Sequence, residues 1–328
     1  MAILVTGGAG YIGSHTVFEL LKQNEQVVVV DHLGQGHPEA VQGCRLYELD
    51  IRDSDGMERV FRENEIEAVI HFAAYSLVGE SMQNPGKYYD NNVYGTLCLL
   101  EKMKAHGVNM IVFSSTAAVY GEPEKIPIQE DDRTSPTNVY GETKLAMEKM
   151  MNWFEQAHGI RSVSLRYFNA AGAHESGTIG EDHRPETHLI PIVLQTALGQ
   201  REAVYVYGDD YPTEDGTCIR DYIHVSDLAE AHVLALHHLR KGGASAVYNL
   251  GNGNGFSVKQ VIETARAVTG CPIPVQMAPR RAGDPAVLVA SSDKARRELG
   301  WNPTRFRLEQ MIADAWRWHQ NHPHGYGH

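Results

Sequence analysis

The sequence predicts an α/β fold: a doubly wound parallel sheet, followed by a smaller α/β domain interleaved with it. Three observations predict it. Short apolar runs alternate with stretches of helical spacing as far as residue 169. A glycine-rich turn joins the first run to the first helix, and an acidic residue closes the second run.

Residues 2–6, "AILVT", form the first strand. Residues 11–23 carry Ile12, Val17, Leu20 and Leu21 at helical spacing. Residues 26–31, "QVVVVD", are continuous and β-branched, as in a strand buried on both faces. The rhythm continues with strands over 45–50, 67–74, 109–116 and 161–169, and helices over 86–106 and 138–158. Strand after helix after strand implies a parallel sheet covered on both sides. Beyond Asn169 the texture changes. A polar loop spans 172–188, and loops of that length are functional or disordered. A helix over 189–199, a strand over 203–208, a loop over 209–217 and a helix from Ser226 to 240 follow. Ser257-Val258-Lys259-Gln260 reads as a capping box opening a further helix. The expected domains are 1–169 and 170–328, with segments near 219–250 returning to the first; no internal repeat is visible.

The 328 residues are 42% apolar and 21% charged, and no stretch reaches the ~20 apolar residues of a membrane span. The net charge of −12 argues against nucleic acid and acidic membranes as partners. It leaves room for an anionic small molecule at a local cluster of arginines or a helix N-terminus. The chain enters its first strand with no basic region before it, so a signal peptide is not expected. Cys44, Cys98, Cys218 and Cys271 form no CxxC, which suits reduced thiols in the cytoplasm and disfavours zinc. The histidine-bearing tail "HQNHPHGYGH" fits a solvated segment better than a metal site, and no metal is expected.

The turn "VTGGAGYIGSH" (5–15) contains Gly8-x-Gly10-x-x-Gly13, with Gly7 adding a second spacing, Gly7-x-x-Gly10-x-x-Gly13. Such glycines let backbone approach a pyrophosphate, which the helix N-terminus then holds. The motif alone is weak. Here a strand precedes it, a helix follows, and Asp31 ends the second strand 21 residues beyond Gly10. An acid there can hold the adenosine ribose hydroxyls and would repel a 2′-phosphate, so a Rossmann-type domain binding NAD is expected. "GNGNG" (251–255) lacks the completing spacing and reads as a turn.

Residues 140–144 read "YGETK", placing Tyr140 and Lys144 on one helical face. A phenol with a pKa of ~10 is a poor base at neutral pH, and a nearby ammonium favours its ionised form. By itself a two-residue pattern arises easily by chance, and the pair fits a solvated helix face better than a catalytic site. An NAD fold changes its meaning, because Thr116 in "VFSSTAAVYG" (112–121) brings a hydroxyl to the C-terminal end of a sheet strand, where ligands of such folds bind.

A strand-end Ser/Thr followed by Tyr-x-x-x-Lys resembles the short-chain dehydrogenase/reductase superfamily, and "TGGAGYIG" resembles its extended branch. "HFAAYSLVGES", "YYDNNVYGT", "RYFNAAGAH", "IGEDHRPETHLIP", "GDDYPTEDGTCIRDYIHVSDLA", "YNLGNG" and "RRAGD" are similar to the UDP-glucose 4-epimerase family along essentially the whole chain. The resemblance implies a UDP-hexose substrate, tightly held NAD, a role in galactose metabolism and a homodimer. It implies epimerisation at sugar C4 through transient oxidation to a 4-keto sugar, because that C–H has no acidifying neighbour. Tyr140 would be base and then acid, Lys144 would hold the nicotinamide ribose and depress the Tyr140 pKa, and Thr116 would bond the reacting oxygen.

By motif, the resemblance assigns Gly7, Gly10, Tyr11, Ile12, Gly13, Asp31, Asp50, Ile51, Phe72, Ala73, Ala74, Asn91, Lys144 and Tyr167 to the cofactor. Thr116, Tyr140, Asn169, His188, Leu189, Tyr207, Arg220, Arg281, Asp284 and Leu288 fall to the substrate. Arginine suits a diphosphate because its fork binds two oxygens; from charge alone, Arg220 would pair with an acid such as Asp221. The family's usual lysine near the NAD phosphates is Ser76 here, which removes a charge from that contact. Leu288 is smaller than the Tyr of some relatives and implies tolerance of N-acetylated UDP-sugars. A nucleotide-sugar 4,6-dehydratase would need Asp-Glu after the strand-end Thr, where this chain has Ala117 and Ala118. A sugar-acid epimerase or decarboxylase lacks an assigned basic residue, and a silent NAD-binding scaffold would not need Tyr140, Lys144 and Thr116 together.

Overall fold

Seven parallel strands make the main sheet of the computed structural model, which describes residues 1–281 and 284–327. In chain order the strands of the molecule are β1 (Ala2–Thr6), β2 (Gln26–Asp31), β3 (Arg45–Glu48), β4 (Ile66–His71), β5 (Met110–Ser114), β6 (Arg161–Tyr167), β7 (Asn169–Ala171), β8 (Val204–Tyr207), β9 (Ile219–His224), β10 (Ala246–Leu250), β11 (Gly255–Ser257), β12 (Val275–Ala278) and β13 (Val287–Leu288). The main sheet runs β10-β6-β5-β4-β1-β2-β3. The order reverses between β1 and β4, and a crevice opens beyond the strand ends at such a switch point.

Alternation along β1 explains the two cores. Ile3 and Val5 face one side with Val17 and Leu20 of helix Tyr11–Lys22 and Leu236 and Leu239 of helix Val225–Arg240. Ala2 and Leu4 face the other with Met57, Phe61, Leu99, Met103, Met147 and Met151. Each fully buried Leu, Phe or Met contributes roughly 1.5–3 kcal/mol. A third core, around Val193, Val206, Ile262 and Ile312, belongs to the later segments.

Those segments build a smaller four-stranded sheet in which β9 pairs with β7, β11 and β13, and a two-stranded pair of β8 with β12. The chain crosses back twice: β10 lies parallel to β6 at the edge of the main sheet with helix Val225–Arg240 packed on helix Tyr11–Lys22, and later helix Asp293–Leu299 and Trp301 return to the first core. β9, although it lies between 219 and 250, stays in the smaller sheet.

Several boundaries differ from those read in the sequence. The strand expected over 161–169 stops at Tyr167, and Asn169 opens β7 in the smaller sheet. The strand expected over 109–116 ends at Ser114, because Thr116 caps a short 3-10 turn, Ala117–Tyr120. The helix expected over 86–106 is broken. Helices Val78–Gln83 and Pro85–Tyr88 lead into a π-helical turn, Tyr89–Tyr94, and then Gly95–Ala105. The wide turn buries Asn91 and Asn92, polar side chains that the apolar periodicity could not place. The capping box is present: Ser257 caps helix Val258–Thr269, and Gln260 bonds back. All four cysteines are free thiols. No helix among the described residues is long and apolar enough to cross a membrane.

Candidate active site

The glycine turn sits at the switch point. Gly7 has a φ of +72°, and a Cβ there would lie 2.6 Å from the Ala73 amide nitrogen. A Cβ on Gly13 would lie 2.2 Å from the Gly7 carbonyl oxygen. These are close backbone approaches that only glycine permits. Gly10 precedes helix Tyr11–Lys22 in the N-cap position with no side-chain cap, so the first amides of the helix have no capping side chain. Asp31 ends β2, and its carboxylate accepts the Ala9 amide at 3.0 Å and the Leu33 amide at 2.9 Å. The residues present fit a dinucleotide: a cradle without Cβ atoms, a helix N-terminus, and an acid tied to the turn.

The other residues assigned to the cofactor line the same edge. Ala73 donates its amide to Thr6 at 3.1 Å. Ala74 is half-buried. Asp50 accepts from Arg52 Nε at 2.9 Å, while Ile51 is buried. Tyr11 is buried and donates to the Gly172 carbonyl at 2.6 Å; Ile12, half-buried, packs on the first core. Phe72 lies 4.6 Å from the His232 ring, and Tyr167 shares a 2.5 Å hydrogen bond with Ser114. Asn91 donates to Asn92 at 3.0 Å, and Asn92 in turn accepts the Tyr75 amide and donates to Thr143. Ser76 is exposed.

Helix Val139–His158 starts from Asn138, whose side chain accepts the Gly141 amide, and it carries Tyr140 and Lys144 in its first turns. Lys144 is buried, donates to the Ser114 carbonyl at 2.8 Å, and lies 5.9 Å from the Tyr140 ring centre. Thr116 is buried at the end of the β5 segment, and its hydroxyl accepts the Ala118 amide at 3.1 Å. The electrostatics differ from the sequence expectation. In the protein alone, burial pushes the Tyr140 phenol up to about 12, opposed by its hydrogen bond with Thr116. Burial likewise pulls Lys144 down to about 7, opposed by the Glu148 charge. Desolvation outweighs the attraction of the pair, because it acts on the charged form of each.

A second set gathers on the smaller sheet. Arg220 on β9 forms an ion pair with Asp284, and its Nη1 donates to the Ile219 carbonyl at 2.8 Å. Charge alone favoured Asp221 as its partner. Residues alternate across a strand, so Asp221 points the opposite way, where it is buried and accepts the Asn252 amide at 2.7 Å. The Arg281 guanidinium stacks over the Tyr207 ring at 4.0 Å. Leu288 on β13 pairs in register with Arg220. Asn169 reaches β9, donating to the Asp221 carbonyl at 3.2 Å. Leu189 opens helix Leu189–Ala197, with His188 in the cap position.

His188 stands in a cluster that the sequence reading missed. Its Nδ1 contacts the buried Glu181, and Glu186 and His183 lie alongside. Burial pulls its pKa down, but Glu181 and then Glu186 outweigh burial and hold the imidazole up at about 9. Direct contact between His188 and Glu181 makes this a charge-compensated cluster in which the two side chains bond each other. The Glu-x-His-x-x-Glu-x-His spacing over 181–188 was its only signal in the sequence.

The profile of the NAD dependent epimerase/dehydratase family matches residues 3–251. The chain belongs to that family. Over 326 residues it is 64% identical to the UDP-glucose 4-epimerase of Halalkalibacterium halodurans, covering 99% of this chain and 98% of that one. A crystal structure of UDP-glucose 4-epimerase that is 57% identical superposes with a TM-score of 0.99 over 100% of both chains. The UDP-glucose 4-epimerase from Bifidobacterium longum in complex with NAD+ and UDP is 45% identical, with a TM-score of 0.94, over 99% of this chain and 100% of that one. Membership makes this chain an NAD-dependent enzyme, and its residues fit the dinucleotide as described above.

Proposed function

We propose that this protein is an isomerase that interconverts UDP-glucose and UDP-galactose at C4 and serves galactose metabolism in the cytoplasm. The observation that carries the reading is the meeting of Lys144 with the Ser114 carbonyl at 2.8 Å, two residues before Thr116 and beside the switch point. Bound NAD supplies a hydride acceptor and donor at the sugar carbon. Everything else falls to the chain. Gly7, Gly10 and Gly13 let backbone approach the pyrophosphate, and Asp31 holds the adenosine ribose. Tyr140 takes the 4-hydroxyl proton and later returns it, with Thr116 bonded to the same oxygen. Lys144 holds the nicotinamide ribose and, once a cationic ring lies nearby, stabilises the Tyr140 phenolate. The hydride that bound NAD would supply to the other face of the 4-keto sugar, with the proton returned by Tyr140, would give the C4 epimer with no net redox change.

On this reading residues 1–169 chiefly carry the cofactor and 170–328 chiefly the UDP-sugar, with Arg220 and Arg281 turned to the diphosphate and Tyr207 to the uracil. Arg220 must then exchange part of its bond to Asp284 for phosphate oxygens. Leu288, half-buried beside Arg220, leaves space for an N-acetyl group. The family resemblance also favours a homodimer. Tyr94, Leu97 and Trp153 support it, since they are 52%, 36% and 66% exposed on helices of the cofactor half that contact each other.

Purified protein given UDP-galactose and no added nucleotide should produce UDP-glucose. A requirement for stoichiometric fresh NAD, or no conversion, refutes the reading. A 4,6-dehydratase would instead release water and a 4-keto-6-deoxy product, for which Ala117 and Ala118 supply neither acid nor base.

A further inference from the structure

Three consecutive strand-end residues are each met by a different group from one helix. The Ser114 carbonyl accepts Lys144 Nζ at 2.8 Å. The Ser115 hydroxyl donates to Glu148 Oε1 at 2.5 Å. The Thr116 hydroxyl bonds the Tyr140 phenol. Tyr140, Lys144 and Glu148 recur every four residues, so one helical face presents all three.

We propose that Glu148 is a positioning residue for the reaction: it fixes the strand end that carries Thr116, and its carboxylate is the counter-charge of Lys144. The inference rests on the roles proposed above for Tyr140, Lys144 and Thr116.

Glu148 is anchored from behind. Arg166 on β6 donates to it from Nε at 3.0 Å and from Nη2 at 2.5 Å. Arg166 Nη1 reaches the Tyr120 hydroxyl at 2.9 Å, and that hydroxyl donates to Asn249 Oδ1 on β10 at 2.7 Å. The chain of bonds therefore ties helix Val139–His158, the strand end, the turn Ala117–Tyr120 and two strands into one unit. The Arg166 and Glu148 side chains are only 6% and 8% exposed. A buried ion pair is a poor stabiliser, because desolvation offsets its attraction and an apolar pair of similar size would serve as well. Its worth here lies in direction and charge. Around Lys144 the facing titratable groups are Tyr140 and Glu148 from its own helix and His71 from β4. Around Tyr140 they are Tyr88 from its short helix and Tyr167 from β6, which are raised further by its charge. Arg166 faces Glu148 from β6. Glu148 is the carboxylate of this set, and its charge works against the burial that pulls Lys144 down.

The test is kcat against pH for Glu148→Gln, Glu148→Asp and Ser115→Ala in the NAD-loaded enzyme. Glu148→Gln should lower the plateau about 10- to 100-fold, the cost of loosening a group behind a reacting one, with KM for the UDP-sugar nearly unchanged. Without the carboxylate Lys144 gives up its proton more easily, so the alkaline limb, where turnover is lost as Lys144 deprotonates, should move to lower pH. Glu148→Asp, which keeps the charge, should restore the limb. Ser115→Ala should lower the plateau without moving the limb. If Glu148→Gln fails to fold because Arg166 is left unpaired, the Glu148→Gln/Arg166→Met pair removes that lone charge and takes its place. A folded variant with plateau and limb both unmoved overturns the inference. Tyr140→Phe run alongside separates the two levels: full turnover there refutes the role of Tyr140 itself.

Discussion

Asp31 accepts the Ala9 amide at 3.0 Å, so the acid closing β2 and the turn between β1 and the first helix are one unit before any ligand arrives. The carboxylate has a second role in Asx-type bonding to Leu33, and only part of its capacity is free for a ribose. Asp31→Ala should therefore weaken NAD by about 1.5–3 kcal/mol, roughly 10- to 100-fold in affinity, and loosen the turn as well. Nucleotide released from denatured protein and quantified by chromatography checks this; an unchanged NAD content would count against the assignment.

Tyr140→Phe removes a hydroxyl and little volume. Turnover should fall by ~10²–10⁴, the range for losing a general acid–base group, while NAD content stays at the parent level. Rates and nucleotide content measured on one preparation decide the matter.

Arg220→Lys keeps the charge but loses the fork. The Asp284 pair should survive as a single contact, and UDP affinity by calorimetry should drop roughly 10-fold or more, the cost of a lost charged hydrogen bond. Equal affinity would move the diphosphate away from β9.

Leu288→Tyr places a large ring in register with Arg220. The expected outcome is selective: kcat/KM for UDP-N-acetylglucosamine falls at least 10-fold more than that for UDP-glucose, as when bulk is added against a substrate group. Parallel losses on both substrates would remove Leu288 from the specificity question.

His188 gives a pH signature. Its imidazole is held up at about 9 in the folded chain against an ordinary value of 6.5, with Glu181 outweighing burial. A raised folded-state pKa contributes stability that is fully present below 6.5 and is lost as pH rises through about 9. Tm should therefore fall between those limits, and His188→Gln should flatten the decline. A parent and variant with the same slope would place the titration elsewhere.

Much of this was legible in the residues. The glycine spacing and Asp31 located the switch point because both obey backbone geometry that sequence spacing reports. The alternation of strands and helices reported the main sheet, since burial on both faces demands continuous apolar runs. The π-helical turn at Tyr89–Tyr94 was not legible, because one wide turn leaves no change in apolar spacing strong enough to read. The Arg220–Asp284 pair joins residues far apart in the chain, and nothing local distinguishes Asp284 from the adjacent Asp221. The Tyr140 phenol stood higher than its neighbour Lys144 implied, because desolvation depends on what the whole fold packs around a group. Glu148 did leave a trace, four residues beyond Lys144, but only the strand end gives that spacing its meaning.

The return of the chain to β10 constrains how the protein can be cut. That strand covers β6 along its length, in register from Val163 to Tyr167. A fragment stopped at residue 169 would carry every glycine of the nucleotide turn yet leave β6 as a bare hydrogen-bonding edge, open to pairing with other copies. The two halves are therefore not exchangeable modules: grafting a new sugar-binding half onto this nucleotide-binding half has to preserve a strand donated from the far side of the junction.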